Sequence, residues 1–131
     1  MKSVSEYIVS ESDIDEFGHL NHVFALKFLE HARDVWYEEA GLWGGRPWSD
    51  SEVLGTIVLN LNVNYRLECF EGEKLTVKTW PGKAGTKSYT LSQSLHKPGG
   101  EIAIDAVCTS LIMDLSTKKT LSVPDSLRVY L

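Results

Sequence analysis

Residues 13–40 read DIDEFGHLNHVFALKFLEHARDVWYEEA, and this stretch falls into two unlike halves. From Val23 to Ala40 the apolar residues Ala25, Phe28, Leu29, Ala32, Trp36 and Ala40 recur at three- and four-residue steps. That spacing predicts one buried face of a helix about five turns long. Asn21 or His22 is placed to cap its start, and Gly41 falls where a C-terminal glycine belongs. From Asp13 to His22 the chain instead packs two aspartates, two histidines, an asparagine and a glycine into a loop. The loop runs into a helix N-terminus, where unpaired backbone N–H groups and the positive end of the helix dipole favour negative charge.

Around this unit the periodicity changes. Residues 4–10 read as a first strand. Residues 41–52, rich in glycine and tryptophan, read as a loop. In residues 54–66, Ile57, Leu59, Leu61, Val63 and Tyr65 alternate with Val58, Asn60, Asn62, Asn64 and Arg66, the period of a strand with one apolar face. Further strands are predicted over 73–80, ended by Pro81-Gly82, and over 86–97 and 101–114, with turns at Pro98-Gly99-Gly100 and Ser116–Lys119. The order is β-α-β-β-β-β. One helix must cover the apolar face of the sheet, so the expectation is an α+β fold in which a curved antiparallel sheet wraps around a single long helix. Its bare edges and faces favour dimerisation.

The chain has 131 residues, 43% of them hydrophobic and 24% charged, which predicts a single globular domain over 1–131. A net charge of −5 argues against non-specific binding to nucleic acid or to an acidic membrane surface. No segment has the ~20 apolar residues of a membrane span. Cys69 and Cys108 are far apart and in no metal-like spacing, which suits a reducing cytoplasm.

Within the loop, Asp15 lies nearer the helix than Asp13 and is the better candidate for a nucleophile or for a general base on water. Backbone N–H groups near His22 could receive a carbonyl oxygen and stabilise the oxyanion formed on attack. Gly18 lets the backbone approach a ligand closely, and His19 could orient a carboxylate or relay a proton. Two other readings stand beside this one. Asp13 and Asp15 could simply complement the helix dipole while Asn21 caps, or Asp13, Asp15 and His19 could ligate a metal, although no further ligand at fixed spacing supports a zinc site.

The pattern Asp13-x-Asp15-x-x-Gly18-His19-Leu20-Asn21-His22, followed by Phe28-Leu29-Glu30-x-Ala32-Arg33, resembles the hotdog-fold acyl thioesterases. These include the 4-hydroxybenzoyl-CoA thioesterases, the plant acyl-carrier-protein thioesterases and, in particular, the bacterial long-chain acyl-CoA thioesterase III group. Val58–Arg66 is similar to that group's asparagine-rich strand, and Lys87-Ser88-x-x-Leu91-Ser92-Gln93 to its Lys-Ser-x-x-Leu-Ser-Gln segment. The likeness runs from about Tyr7 to Leu121.

The resemblance implies a hotdog fold and hydrolysis of acyl-CoA thioesters, with medium- to long-chain fatty acyl groups as substrates in lipid metabolism. It implies no cofactor or metal, and a cytoplasmic homodimer or homotetramer with active sites at the dimer interface. It assigns catalysis to Asp15, His19 and the backbone at His22. Substrate contacts fall to Gly18, Asn21 and Phe24, with Lys83, Lys87 and Arg66 as candidates for the CoA phosphates. Phe28 and Trp36 are either tunnel or core. The plant enzymes' asparagine two residues after the aspartate is Phe17 here, so that role is absent or moved. Their Glu-Cys pair is matched by Glu68-Cys69, which otherwise reads as an exposed strand-end acid and a buried small residue. Glu30 and Arg33 read as a local helix pair. A hotdog dehydratase or hydratase and a non-catalytic acyl-binding protein are the competing functions.

Overall fold

A computed structural model describes residues 1–42 and 54–131. The elements run β1 (Ser3–Ile8), a 3-10 turn (Glu11–Asp13), α1 (His22–Glu39), β2 (Leu54–Tyr65), β3 (Lys74–Ala84), β4 (Ser88–His96), β5 (Ile102–Asp114), β6 (Lys119–Leu121) and α2 (Asp125–Arg128). All strand pairs are antiparallel, and the sheet order is β1-β3-β4-β5-β2. β6 pairs with β5 at Ile112–Asp114, beyond the point where β4 begins opposite Leu111. Most of the expected loop 41–52 lies outside the described residues.

The helix forms where the apolar spacing places it. Asn21 is its cap, accepting the Val23 N–H at 2.8 Å, and Gly41 follows it at φ +77°, a conformation that costs glycine nothing. Ala25, Leu29, Ala32 and Trp36 are buried. Leu29 and the two alanines pack with Leu75, Val77, Leu95 and Ala106 from the sheet. Trp36 joins Tyr37, Tyr89, Leu91 and Ile112, and Val123 and Leu127 close that end. Each large side chain buried in this way stabilises the fold by about 2–3 kcal/mol. Trp36 is thus core rather than tunnel, and its Nε1–H donates to the Met1 carbonyl at 2.9 Å.

Four expectations are corrected. β2 is not a uniform alternation, because a bulge lies between Val58 and Asn60. Ile57 is opposite Leu111 and Leu61 opposite Cys108, so the extra residue moves Ile57 to the face opposite that of Leu61, Val63 and Tyr65. β3 does not stop at Pro81 but continues to Ala84. β1 begins only at Ser3, opposite Thr79, so the antiparallel ladder on that side stops short of the proline, which an edge tolerates. The segment after Ser116 is not only a turn, since Lys119 opens β6. Arg33 does not pair with Glu30. It turns inward and donates to Gln93 Oε1 at 3.0 Å, while the Gln93 amide donates to the Leu29 carbonyl and to Thr79 Oγ1. This buried glutamine ties helix to sheet.

Candidate active site

The loop before α1 is folded on its own carboxylates. Asp13 Oδ2 accepts from the Ser10 N–H at 3.0 Å and the Ser10 hydroxyl at 2.9 Å. Asp15 Oδ1 accepts from the N–H groups of Phe17 at 2.9 Å and His19 at 3.1 Å. The backbone closes the same turn, with the Asp15 N–H donating to the His19 carbonyl and the Gly18 N–H to the Asp15 carbonyl. Gly18 sits at φ +79°, which is why a glycine belongs there. The two aspartates therefore face different partners. Among the described residues no group of three His, Cys, Asp or Glu side chains is placed to hold a metal ion.

A cavity of about 250 Å³ opens beside this loop, lined by Asp15, His19, Leu20, His22 and Ala25 from the loop and helix start, and by Tyr65, Leu67, Glu68, Cys69 and Ile104 from the sheet side. Asp15, His19 and His22 are thus brought together. The N–H groups of the first helical turn, those of His22 and Phe24 among them, have no acceptor within the helix. The aromatic side of Tyr65 meets the His22 ring edge-on at 6.4 Å.

Glu68 is the residue that the sequence undervalued. It is exposed, as expected of a strand-end acid, yet its Oε2 lies 3.2 Å from His19 Nε2. The only sequence signal for this was the Glu-Cys likeness to the plant enzymes. The neighbouring Phe70 places its ring edge-to-face on His19 at 5.4 Å, and the Leu20 N–H donates to the Cys69 carbonyl at 2.7 Å. Cys69 is buried, and burial pushes its thiol pKa up. At neutral pH it is a thiol rather than a thiolate, which disfavours it as a nucleophile.

The remaining candidates lie elsewhere. Gly18 and Asn21 shape the loop without lining the cavity. Phe24 is half-buried under the Lys27 ammonium, 4.8 Å from its ring centroid, and Phe28 stacks on Tyr7 at 5.0 Å. Arg66 is committed to Asp105, and the pair raises the arginine pKa and lowers that of the carboxyl. Lys83 and Lys87 lie at the other end of the sheet. Leu95 is opposite the cavity-lining Ile104, and Lys87 is eight residues before Leu95, about 26 Å along the strand at ~3.3 Å per residue.

Residues 9–131 match the model of the thioesterase-like superfamily. The long-chain acyl-CoA thioesterase FadM of Escherichia coli strain K12 is 31% identical over 116 residues, covering 88% of this chain and 86% of that protein. The solved structure of YbaW from Escherichia coli, described as a probable thioesterase, superposes with a TM-score of 0.82 at 28% identity, covering 97% and 94% of the two chains. A 4-hydroxybenzoyl-CoA thioesterase variant bound to 4-hydroxybenzoyl-CoA has the same fold, with a TM-score of 0.85 at 17% identity and 99% of both chains covered. The six-stranded antiparallel sheet packed on α1 and the near full-length match agree: the chain belongs to the thioesterase-like superfamily and is a hotdog-fold thioester hydrolase.

Proposed function

We propose that the protein hydrolyses acyl-CoA thioesters to free acid and CoA, with medium- to long-chain fatty acyl groups as its substrates in lipid metabolism. The observation that carries this reading is the setting of Asp15. Its Oδ1 is held by two loop N–H groups, which fixes the carboxylate at a helix N-terminus on the wall of the cavity and leaves Oδ2 for the reacting side. The relationship to FadM, a long-chain acyl-CoA thioesterase, supports the acyl range.

A thioester is already activated, so the site has three tasks. Asp15 Oδ2 attacks the carbonyl carbon or takes the proton of a water that does so. The N–H groups at the start of α1 receive the carbonyl oxygen as it becomes an oxyanion. Collapse of the tetrahedral intermediate breaks the C–S bond, and CoA leaves as the thiolate to be protonated; on the covalent route a water then cleaves the acyl–Asp15 anhydride, releasing the acid and restoring the carboxylate. His19 Nε2 lies 3.2 Å from Glu68 Oε2, which orients the imidazole beside Asp15 so that it can relay a proton. Asp13 and Asn21 hold the loop.

The active unit is a homodimer or homotetramer with its sites at the dimer interface. β2 is an edge strand of 12 residues, and Val58, Leu59 and Tyr65 on it are 49%, 56% and 51% exposed. An edge that long and apolar calls for a partner. A cytoplasmic setting is supported by the two cysteines, both free and buried.

Asp15→Asn tests the reading. It should lower kcat by at least about a hundredfold while KM changes little, with CoA release followed by a thiol reagent across acyl-CoAs of increasing length. Near-wild-type turnover would remove Asp15 from the chemistry. Release of CoA by the wild type separates hydrolysis from hydration or dehydration, which leave the thioester intact. Single turnover in ¹⁸O-water distinguishes the two routes, because only covalent attack carries label into Asp15.

A further inference from the structure

Glu68 sits in a stretch, Leu67–Glu73, with no regular structure apart from a single bridge between Phe70 and His19. An irregular segment cannot by itself hold a carboxylate against a ring. On its loop side it is stitched by the Leu20 N–H to the Cys69 carbonyl. Its two ends are pinned by the backbone, Leu67 N–H donating to the Ala103 carbonyl and Gly72 N–H to the Val9 carbonyl, while Val9 N–H donates to the Glu73 carbonyl. Between those ends, three contacts converge on one ammonium. Lys97, just after β4, donates from Nζ to the Glu68 carbonyl. The same Nζ lies 3.2 Å from Glu73 Oε1 and 4.8 Å from the centroid of the Phe70 ring. Its side chain is only 15% exposed, so these contacts are less screened than those of a surface lysine.

The anchor behind the ammonium is firm. Lys97 N–H donates to the Glu101 carbonyl at 2.9 Å, and its own carbonyl accepts from Gly100 N–H at 2.8 Å, which fixes it in the turn between β4 and β5. Glu73 Oε1, its ion-pair partner, also accepts the Phe70 N–H at 2.6 Å. One cation thus grips the backbone of the residue that pairs with His19, the ring that packs on His19, and the carboxylate that pins that ring's backbone. Lys97 does not line the cavity that holds Asp15, so it acts through these neighbours.

We propose that Lys97 is a positioning residue for the His19–Glu68 pair: from outside the cavity it clamps the Leu67–Glu73 segment and thereby sets the imidazole against the carboxylate. The inference rests on the reading of His19 and Glu68 given above. A misplaced catalytic group loses rate without losing ground-state binding, which gives the clamp its own signature.

The test is steady-state hydrolysis of palmitoyl-CoA by the full chain. Lys97→Met keeps the aliphatic stem and removes the ammonium. It should lower kcat about tenfold with KM within about twofold, and Lys97→Arg should recover most of the loss. In a Glu68→Gln background Lys97→Met should cost nothing further, because the clamp has lost what it positions. Wild-type kcat in Lys97→Met, or losses that multiply in the double variant, would overturn the inference while leaving His19 and Glu68 in place. Wild-type kcat in Glu68→Gln would instead remove the pair itself, and the clamp with it. Should Lys97→Met fail to fold, Glu73→Gln keeps the lysine and an acceptor for the Phe70 N–H but removes the charge. It should reduce kcat about threefold, again only while Glu68 is present, and full activity there would count against the clamp.

Discussion

Glu68 Oε2 lies 3.2 Å from His19 Nε2, and the two line the same cavity, one from the irregular segment after β2 and the other from the loop before α1. The same segment supplies the Phe70 ring edge against the imidazole. His19 is therefore restrained in orientation. Glu68→Gln keeps the shape of the pair but removes the negative charge beside His19 Nε2. The variant should lose about 10–100-fold in kcat with little change in KM, and Glu68→Asp, shorter by one methylene, should fall between. Initial-rate measurements over a range of acyl-CoA concentrations check both.

Gly18 gives a second expectation. A Cβ added there would meet nothing within 4 Å, yet its φ is +79°. Gly18→Ala therefore costs backbone strain rather than a clash, about 1–2 kcal/mol. The strain falls on the turn that holds Asp15 Oδ1 through the N–H groups of Phe17 and His19. The alanine variant should melt a few degrees lower and lose activity, whereas Gly18→Asn, better suited to a left-handed conformation, should retain more of both. Thermal melts paired with kcat values test the order.

The parts of this fold that were legible in the sequence are those set by short-range pattern. The helical face, the Asn21 cap and Gly41 are all decided within a few residues of where they act, and so are the alternation in β4 and the turn after it at Pro98-Gly99-Gly100. The bulge in β2 was not legible, because it is defined by which residue of β5 stands opposite, not by β2 itself. The continuation of β3 past Pro81 depends on where β1 stops. α2 has four residues, too few for a period to show. Of the site, the Asp15 loop could be read because its groups are contiguous. The contact between His19 and Glu68 joins residues far apart in sequence, and only tertiary structure makes it. Lys83 and Lys87 owe their expected role to a family likeness; Lys83 lies near the end of β3 and Lys87 just before β4, away from the cavity, so any part they play in binding depends on how copies of the chain assemble.

Alkaline stability should report on the far end of the core. The hydroxyls of Tyr37 and Tyr89 are 2.5 Å apart in the interior. Burial pushes Tyr37 up to about 12 and raises Tyr89 as well, and Cys69 is raised by the same cause. In the unfolded chain these groups lose their protons near the ordinary values of 10 for tyrosine and 9 for cysteine. Above those values the native state binds more protons than the unfolded one, so the free energy of unfolding falls as pH rises. The stabilisation is fully present below about pH 9 and declines from there towards pH 12. Urea midpoints taken at intervals across that range should show the decline, and Tyr37→Phe with Tyr89→Phe should flatten most of it. A profile independent of pH up to the tyrosine range and beyond would contradict the buried pair.

The distance between the cavity and the two lysines leads to a test of the shared site. Lys87 lies about 26 Å of strand away from the Leu95–Ile104 pairing beside the cavity, and Lys83, whose N–H donates to Thr90 Oγ1, about 17 Å. Within one chain they cannot meet a CoA whose thioester is at Asp15 unless that ligand runs the length of the sheet. Across a β2-to-β2 dimer they can belong to the other copy's site. Asp15→Asn should then lower kcat, and Lys87→Glu should raise KM by placing a negative charge near the CoA phosphates. Refolding the two variants together produces mixed dimers. If each site takes Asp15 from one copy and Lys87 from the other, one site of every mixed dimer is intact and the other doubly impaired. Activity at low acyl-CoA should then rise well above the average of the two parents, towards half the wild-type value per mixed dimer. If each site is built from one chain, the mixture can only give that average. Activity across a series of mixing ratios, with mixed dimers quantified by mass, distinguishes the two outcomes, and a strictly linear dependence on ratio would rule out a site that takes Asp15 from one copy and Lys87 from the other.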